Sequence, residues 1–311
     1  MTVTGRNEGH GSSPASLRHD GPEPTLVGIA AVGLAGSRRF LAGGPARAAD
    51  GARLIARCAA EGLSGMLAAA VNGGTVALDG DGDGRHGDGE GVLADRASEA
   101  AAEAARAAAV VTGETLALSA ALAAAGIDHR VLDGPALVPR VYADAGLRPF
   151  AAAEVAVAPE AGDRARALAG PGVRVRTDLL PSEAGPRLRL ADLGDAPVPV
   201  AVDGGTLPGL PLDVALLRAA VVAAGAGSRR LLALRDVAQI ALAGPLPGEA
   251  ARARADGWRC AALLAAGVHA AWDTFDLADK TDLSVWAAHY GDPPFPGPGR
   301  RLRHALGRWG R

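Results

Sequence analysis

Between residues 127 and 179 the chain alternates short extended runs with short helical ones, and this order constrains the fold more than any other feature. Ile127 to Leu132 reads as a strand, Asp133-Gly134 as a turn, and Pro135 as the first residue of a helix reaching about Ala145. After Gly146 the pattern is extended again over Glu154 to Ala158, helical from Asp163 to Ala169 and extended from Val173 to Leu179. Val198 to Val202 supplies one more strand. The spacing predicts an α/β (α+β) protein in which a small mixed sheet is flanked by N- and C-terminal helical regions.

The flanks carry the helical period. From Ala46 to Ala70, Leu54, Cys58 and Ala59, then Leu63, Met66 and Leu67, recur at helical spacing; a long alanine-rich helix follows from about Asp95 to Ala125, bent near Gly113 and stopped by Gly126. Leu212 to Ala271 is helical again, with Ser228 as an N-cap and Gly225, Gly244 and Gly267 as breaks. Hydrophobic residues make up 49% of the chain but aromatics only 3%, so the core must be built from Leu, Val and Ala on closely approaching helices. Three segments follow: residues 1–45 as a leader whose first 22 residues lack periodicity and read as disordered, a domain over 46–290, and a proline-rich linker with a basic amphipathic tail over 291–311. The domain divides into N-terminal helices over 46–125, a sheet over about 126–205 and C-terminal helices over 211–290. In the tail Leu302, Ala305, Leu306 and Trp309 share one helical face against five arginines, a pattern able to touch a membrane or a partner helix and read here as docking on its own domain.

A net charge of −2 offers no clustered basic surface, so nucleic acid is not an expected partner. No run approaches the roughly 18 apolar residues of a membrane span, and Arg38-Arg39 follows the apolar run Leu26 to Ala35 rather than preceding it as in an export signal. A cytoplasmic protein that is not integral to a membrane is expected. Cys58 and Cys260 each lie in an alanine-rich stretch and read as buried small hydrophobes of a reducing compartment. The tract at 79–91 places Asp79, Asp81, Asp83, Gly84 and Glu90 on a calcium-loop template, yet His86 stands where an apolar residue belongs and repeated Asp-Gly meets the template easily; it reads as a solvated loop.

The stretch LAAAGIDHRVLDGPALVPRVYADAGLRPFAAAEVAVAP resembles the signature of the uncharacterised nucleotidyltransferases, relatives of the polymerase-beta-like minimal palm. Gly126-Ile127, Gly134, Ala136-Leu137, Tyr142, Gly146, Arg148 and Pro149 carry the resemblance; CAAEGLSGML at 58–67 and LLALRDVAQIAL at 231–242 with Trp258 extend it over about 46–290. The resemblance implies a palm-type sheet, an NTP as ligand and two Mg²⁺ ions caged by carboxylates, two of them at i and i+2 on one strand and a third on a neighbouring strand. It implies Gly134 and Arg148 as nucleotide-binding residues, and Glu154 and Asp178 as the catalytic, metal-binding acids. Two positions depart from the pattern: Ala152 replaces the first acid of the pair, and Asp133 replaces the lysine before the glycine, placing negative charge beside a triphosphate. The loss is consistent with a chain in which Lys280 is the only lysine. The expectation is a nucleotidyltransferase-family protein impaired in catalysis, a pseudoenzyme acting as a binding or scaffolding partner. The alternatives are an active transferase moving a nucleotide to a small molecule or peptide with Mg²⁺, and a helical protein-interaction module. His129 and Tyr142 read as structural, the His269, Trp272 and Asp273 group as core packing, and GIAAVGLAG at 28–36 lacks the glycine spacing of a dinucleotide loop.

Overall fold

The computed structural model describes residues 24–39, 46–48, 50–78, 88–180, 186–225, 231–243, 248–278 and 281–290. Among the described residues eleven α-helices and seven strands follow in the order α1 (Pro24–Ala30), β1 (Ala46–Ala48), α2 (Gly51–Glu61), α3 (Ser64–Asn72), β2 (Val76–Leu78), α4 (Asp88–Ala124), β3 (His129–Val131), α5 (Val138–Val141), β4 (Ala153–Val157), α6 (Gly162–Leu168), β5 (Val173–Arg176), β6 (Val198–Val202), β7 (Gly205–Gly209), α7 (Leu212–Gly225), α8 (Leu231–Leu242), α9 (Gly248–Gly257), α10 (Ala261–Phe275) and α11 (Asp282–His289). The main sheet is mixed, in the order β5-β4-β3-β7-β6: β4 runs antiparallel to β3 and parallel to β5, β7 runs parallel to β3, and β6 and β7 form an antiparallel hairpin. The mixed α/β architecture expected from the sequence is therefore present.

Alternation divides the sheet's two faces between two cores. Val131, Val155, Val157 and Val173 point to one side, where Leu118 and Leu122 of α4 and Ala165 of α6 cover them. Leu132 and Ala156 join the larger core, which the C-terminal helices build with α1 to α3. Small residues let these helices approach: a Cβ on Gly267 of α10 would stand 2.7 Å from that of Ala220 on α7. Gly267 is thus a packing site rather than the expected helix break. The same constraint is sharper at Gly65 of α3, where a Cβ would meet the Gly146 carbonyl oxygen at 1.8 Å. Gly65→Ala is expected to destabilise the protein by about 3 kcal/mol, read as a lower urea midpoint, because backbone cannot yield as a flexible side chain does.

Several local expectations need correction. Ordered structure begins well before Ala46, since α1 buries Leu26, Ile29 and Ala30 against α3, α8 and α10; a helix of only seven residues hid a segment whose apolar residues are all used. The proposed helix from Pro135 to about Ala145 is broken into a 3-10 turn (Gly134–Ala136), α5 and a second 3-10 turn (Ala145–Leu147), with Tyr142 already extended. Asp203-Gly204 turns β6 back into β7, a strand the reading lacked because Pro208 and three glycines disguise it; its position at a hairpin, with β3 on its other side for a single register pair, tolerates the proline. The short parallel pair β1 and β2 was also absent from the reading.

Helix α4 runs unbroken through Gly113, about 55 Å at 1.5 Å per residue. Its stretch Gly91–Ala124 is long and apolar enough, by length and composition, to cross a membrane, contrary to the reading that no run comes near. Alanine supplies that hydropathy, and the helix is anchored in protein at both ends, by Leu93 and Ala97 in one core and Leu118 and Leu122 in the other. The calcium-loop tract lies outside the described residues from 79 to 87, and α4 begins at Asp88; Ser228 and the tail at 291–311 are likewise outside.

Candidate functional site

Glu154 is the second residue of β4, on the face turned toward the C-terminal helices, with only 12% of its side chain exposed. Two guanidiniums enclose it. Arg176 of β5 donates from Nε to Oε1 at 2.9 Å and from Nη2 to the same oxygen, while Arg218 of α7 donates from Nη2 to Oε2. Parallel pairing explains the first: Glu154 opposes Arg174 in register, so Arg176, two residues on, projects from the same face of the adjacent strand. The second comes from the apolar body of α7, where Arg218 is the one charge in VALLRAAVVAA at 214–224. Arg218 also donates to the Leu179 carbonyl from Nη1 and lies 3.7 Å from Asp133.

Asp133 joins this network from the end of β3. Its Oδ1 accepts from the Glu154 amide at 3.0 Å, so the carboxylate that follows β3 ties that strand to β4. Burial raises its carboxyl above the usual range, Arg218 works against that rise, and the nearby Glu154 adds to it. Ala152 precedes β4 and contributes no ligand atom. Asp178 is brought to the same place as Glu154: both line a cavity of about 180 Å³ with Arg166, Arg176, Thr177 and Arg218.

Mg²⁺ does not fit these residues. Both Glu154 oxygens are engaged by guanidiniums, Ala152 offers no side-chain oxygen, and the side chain that reaches Glu154 from the neighbouring strand, where a third acid would close a cage, is Arg176. Among the described residues no three His, Cys, Asp or Glu side chains converge as a metal set. Asp178, two residues beyond Arg176, was chosen from its acid character; strand register shows Arg176 to be the residue that meets Glu154.

Gly134 adopts φ +50°, and the Phe150 ring lies 3.2 Å from where its Cβ would stand. The turn is therefore packed by an aromatic ring on the side where a side chain would project. Pro135, Val138 and Phe150 line an apolar groove of about 620 Å³ with Ala105, Ala108 and Thr112 of α4, a surface with little to offer a triphosphate.

Arg148 is committed elsewhere. Its Nε and Nη2 donate to Asp236 Oδ1 and Oδ2 of α8 at 3.0 and 2.8 Å, a bidentate pair, and the Tyr142 hydroxyl donates to the same Oδ1 at 2.7 Å. Burial pulls the Arg148 pKa down, but pairing with Asp236 outweighs it and the net shift is upward. Burial, then Asp236, pushes the Tyr142 hydroxyl well above its ordinary value. Arg235, with no exposed surface, donates to the Ala30 carbonyl at 2.7 Å and lies 5.8 Å from the Tyr142 ring centroid; its Nε and Nη2 have no hydrogen-bond partner among the described residues. The Arg-Asp pair inside LLALRDVAQIAL was the sequence signal for this second network, since adjacent opposite charges seldom enter an apolar helix without partners.

His129 is structural, as read: Nδ1–H donates to the Ile127 carbonyl at 3.1 Å and Nε2 accepts from the Ser119 hydroxyl at 2.7 Å. Burial lowers its pKa below 6.5, opposed by the Ile127 bond and Asp128. The unfolded chain then binds a proton near pH 6.5 that the folded chain still refuses, so this group's contribution is complete above that pH and falls as pH drops toward the folded value. His129→Gln is expected to flatten the fall in stability between pH 7 and 5, checked by urea melts of both proteins across that range. Cys58 and Cys260 are buried, as expected. His269 and Asp273 are exposed rather than packed in the core, with Trp272 half-buried between them.

Comparison with protein-family models, with curated proteins and with solved structures returns no match to this chain.

Proposed function

We propose that this chain has the frame of a polymerase-beta-like nucleotidyltransferase palm whose cation cage has been closed by arginines, and that it works as a non-catalytic binding or scaffolding partner. The observation that carries the reading is the pair of guanidiniums, Arg176 and Arg218, on the two oxygens of Glu154. At an effective dielectric of 20, each pair of unit charges 4 Å apart is worth about 4 kcal/mol. A divalent ion placed there would meet two such repulsions for each attraction to Glu154. The guanidiniums supply the positive charge that the metals would otherwise bring, but a fixed arginine has no open coordination position and cannot activate an attacking oxygen. Asp133 next to the turn and Phe150 against Gly134 support the same reading at the phosphate end.

Incubation with each labelled NTP and Mg²⁺ tests it. No transfer to the protein, to water or to added small-molecule and peptide acceptors is expected, and calorimetry with Mg-ATP should give no Mg²⁺-dependent heat. Tight magnesium-dependent binding, or transfer lost in Glu154→Gln, would return the chain to the active transferases.

A further inference from the structure

The geometry points to a metal-independent site for a small phosphate-class oxyanion in the cavity at the open edge of β5, made by Arg166, Arg176 and Thr177. The cavity, about 180 Å³, has room for a phosphate group with a short organic substituent and is bordered by three arginines, Arg166, Arg176 and Arg218, against two acids, Glu154 and Asp178. The acids do not cancel the arginines evenly. Glu154 spends both its oxygens on Arg176 and Arg218. Arg176 uses Nε and Nη2 in that pair, which leaves Nη1 outside it, and half of its side chain remains exposed. Arg166 uses Nη1 on Asp163, leaving Nε and Nη2 outside that pair, with its own side chain 53% exposed. The two half-exposed guanidiniums thus border a concavity with donors to spare, and Thr177 adds a hydroxyl between β5 and Asp178.

The site is shaped by a glycine. A Cβ on Gly162 would lie 3.2 Å from the Thr177 methyl and 3.4 and 3.5 Å from the two Arg166 Nη atoms, so the bare Cα of Gly162 gives the guanidinium its place beside Thr177. Planar guanidiniums match the oxygens of a phosphate in bidentate fashion and need no metal between them. Asp178, the remaining acid of the lining, selects among oxyanions: a phosphate still carrying a proton near neutral pH can donate it to that carboxylate, whereas sulfate has none to give and meets only repulsion. Free phosphate and a phosphate monoester share this chemistry.

Calorimetric titration of the full chain in EDTA with inorganic phosphate and, separately, with glycerol phosphate tests the site, the tighter of the two identifying free anion or monoester. Saturable one-to-one binding is expected for at least one of them. Arg166→Ala should weaken it about tenfold or more, and Gly162→Ala should weaken it too although every charge is kept. Gly162 opens α6 and Arg166 lies in its last turn, and an unchanged melting curve shows that the fold is retained in each variant. Absence of saturable binding, equal binding of sulfate, a requirement for Mg²⁺, or affinity unchanged in both variants would each overturn the site. The proposal rests on the same arginine-closed frame as the non-catalytic reading, but the failures separate: lack of phosphate binding leaves that reading intact, whereas NTP transfer with Mg²⁺ defeats that reading directly.

Discussion

Glu154→Ala is expected to cost about 3–5 kcal/mol of folding stability. The cost does not come from Glu154 itself so much as from what it leaves behind. Arg218 keeps only 7% of its side chain exposed, and without Glu154 its guanidinium retains the Leu179 carbonyl and a distant Asp133 carboxylate at 3.7 Å. A buried charge stripped of its partner bears the desolvation penalty uncompensated. Arg176→Ala is the contrasting case, because half of that side chain is in solvent and its ion pair is worth at most about 1 kcal/mol. The double variant Glu154→Ala with Arg218→Met should recover most of the loss, since both charges go together and methionine's flexible thioether fills the space. Urea unfolding at pH 7 measures all four proteins, with the change read in the midpoint at constant slope. A cost below 1 kcal/mol for Glu154→Ala would mean that Arg218 reaches solvent or another acid and that the network is not the closed one described.

How much of this could be read beforehand follows from the range of the interactions. The strand segments of the central region were legible because period-two runs bounded by Gly, Pro and Asp-Gly are local signals; β3, β4, β5 and β6 lie within a few residues of their expected places. Glu154 was legible as an important position because the motif around Arg148-Pro149 pointed to it. Its partners were not. Arg176 became a partner through the register of β4 with β5, and Arg218 through a contact 64 residues away, neither of which periodicity reports. Arg148 failed in the same manner: a surface phosphate clamp and a buried partner of Asp236, 88 residues on, have one sequence appearance. The lone arginine of α7 and the Arg-Asp pair of α8 were nonetheless visible as charges in apolar helices. Treated as demands for partners, they would have led to both networks. Helix α1 escaped because seven residues, about two turns, are too few to establish a period, and its burial depends on the helices that receive it.

Asp236→Ala is the second large effect, expected at about 3–5 kcal/mol, and it tests whether the segment after β3 is held from α8. Asp236 accepts both bonds of the Arg148 fork and the Tyr142 hydroxyl, with 10% of its side chain exposed and Arg148 at 13%. Removing it strands one guanidinium and one phenol at once, each buried and with its hydrogen-bonding partner gone. Tyr142→Phe removes a single neutral donor while the bidentate pair survives, and should cost only about 1 kcal/mol. Arg148→Ala falls between charge and geometry: it leaves a buried carboxylate with one neutral donor and the neighbouring Arg235, whose guanidinium already feels Asp236. A double-mutant cycle between Arg148 and Asp236 should therefore give a coupling of about 2–3 kcal/mol, while one between Asp236 and Arg176, which belongs to the other network, should give none within about 0.5 kcal/mol. Additive losses for Arg148 and Asp236 would show that the two do not stabilise the fold as a pair, and Arg148 would again be free for an anion in solution.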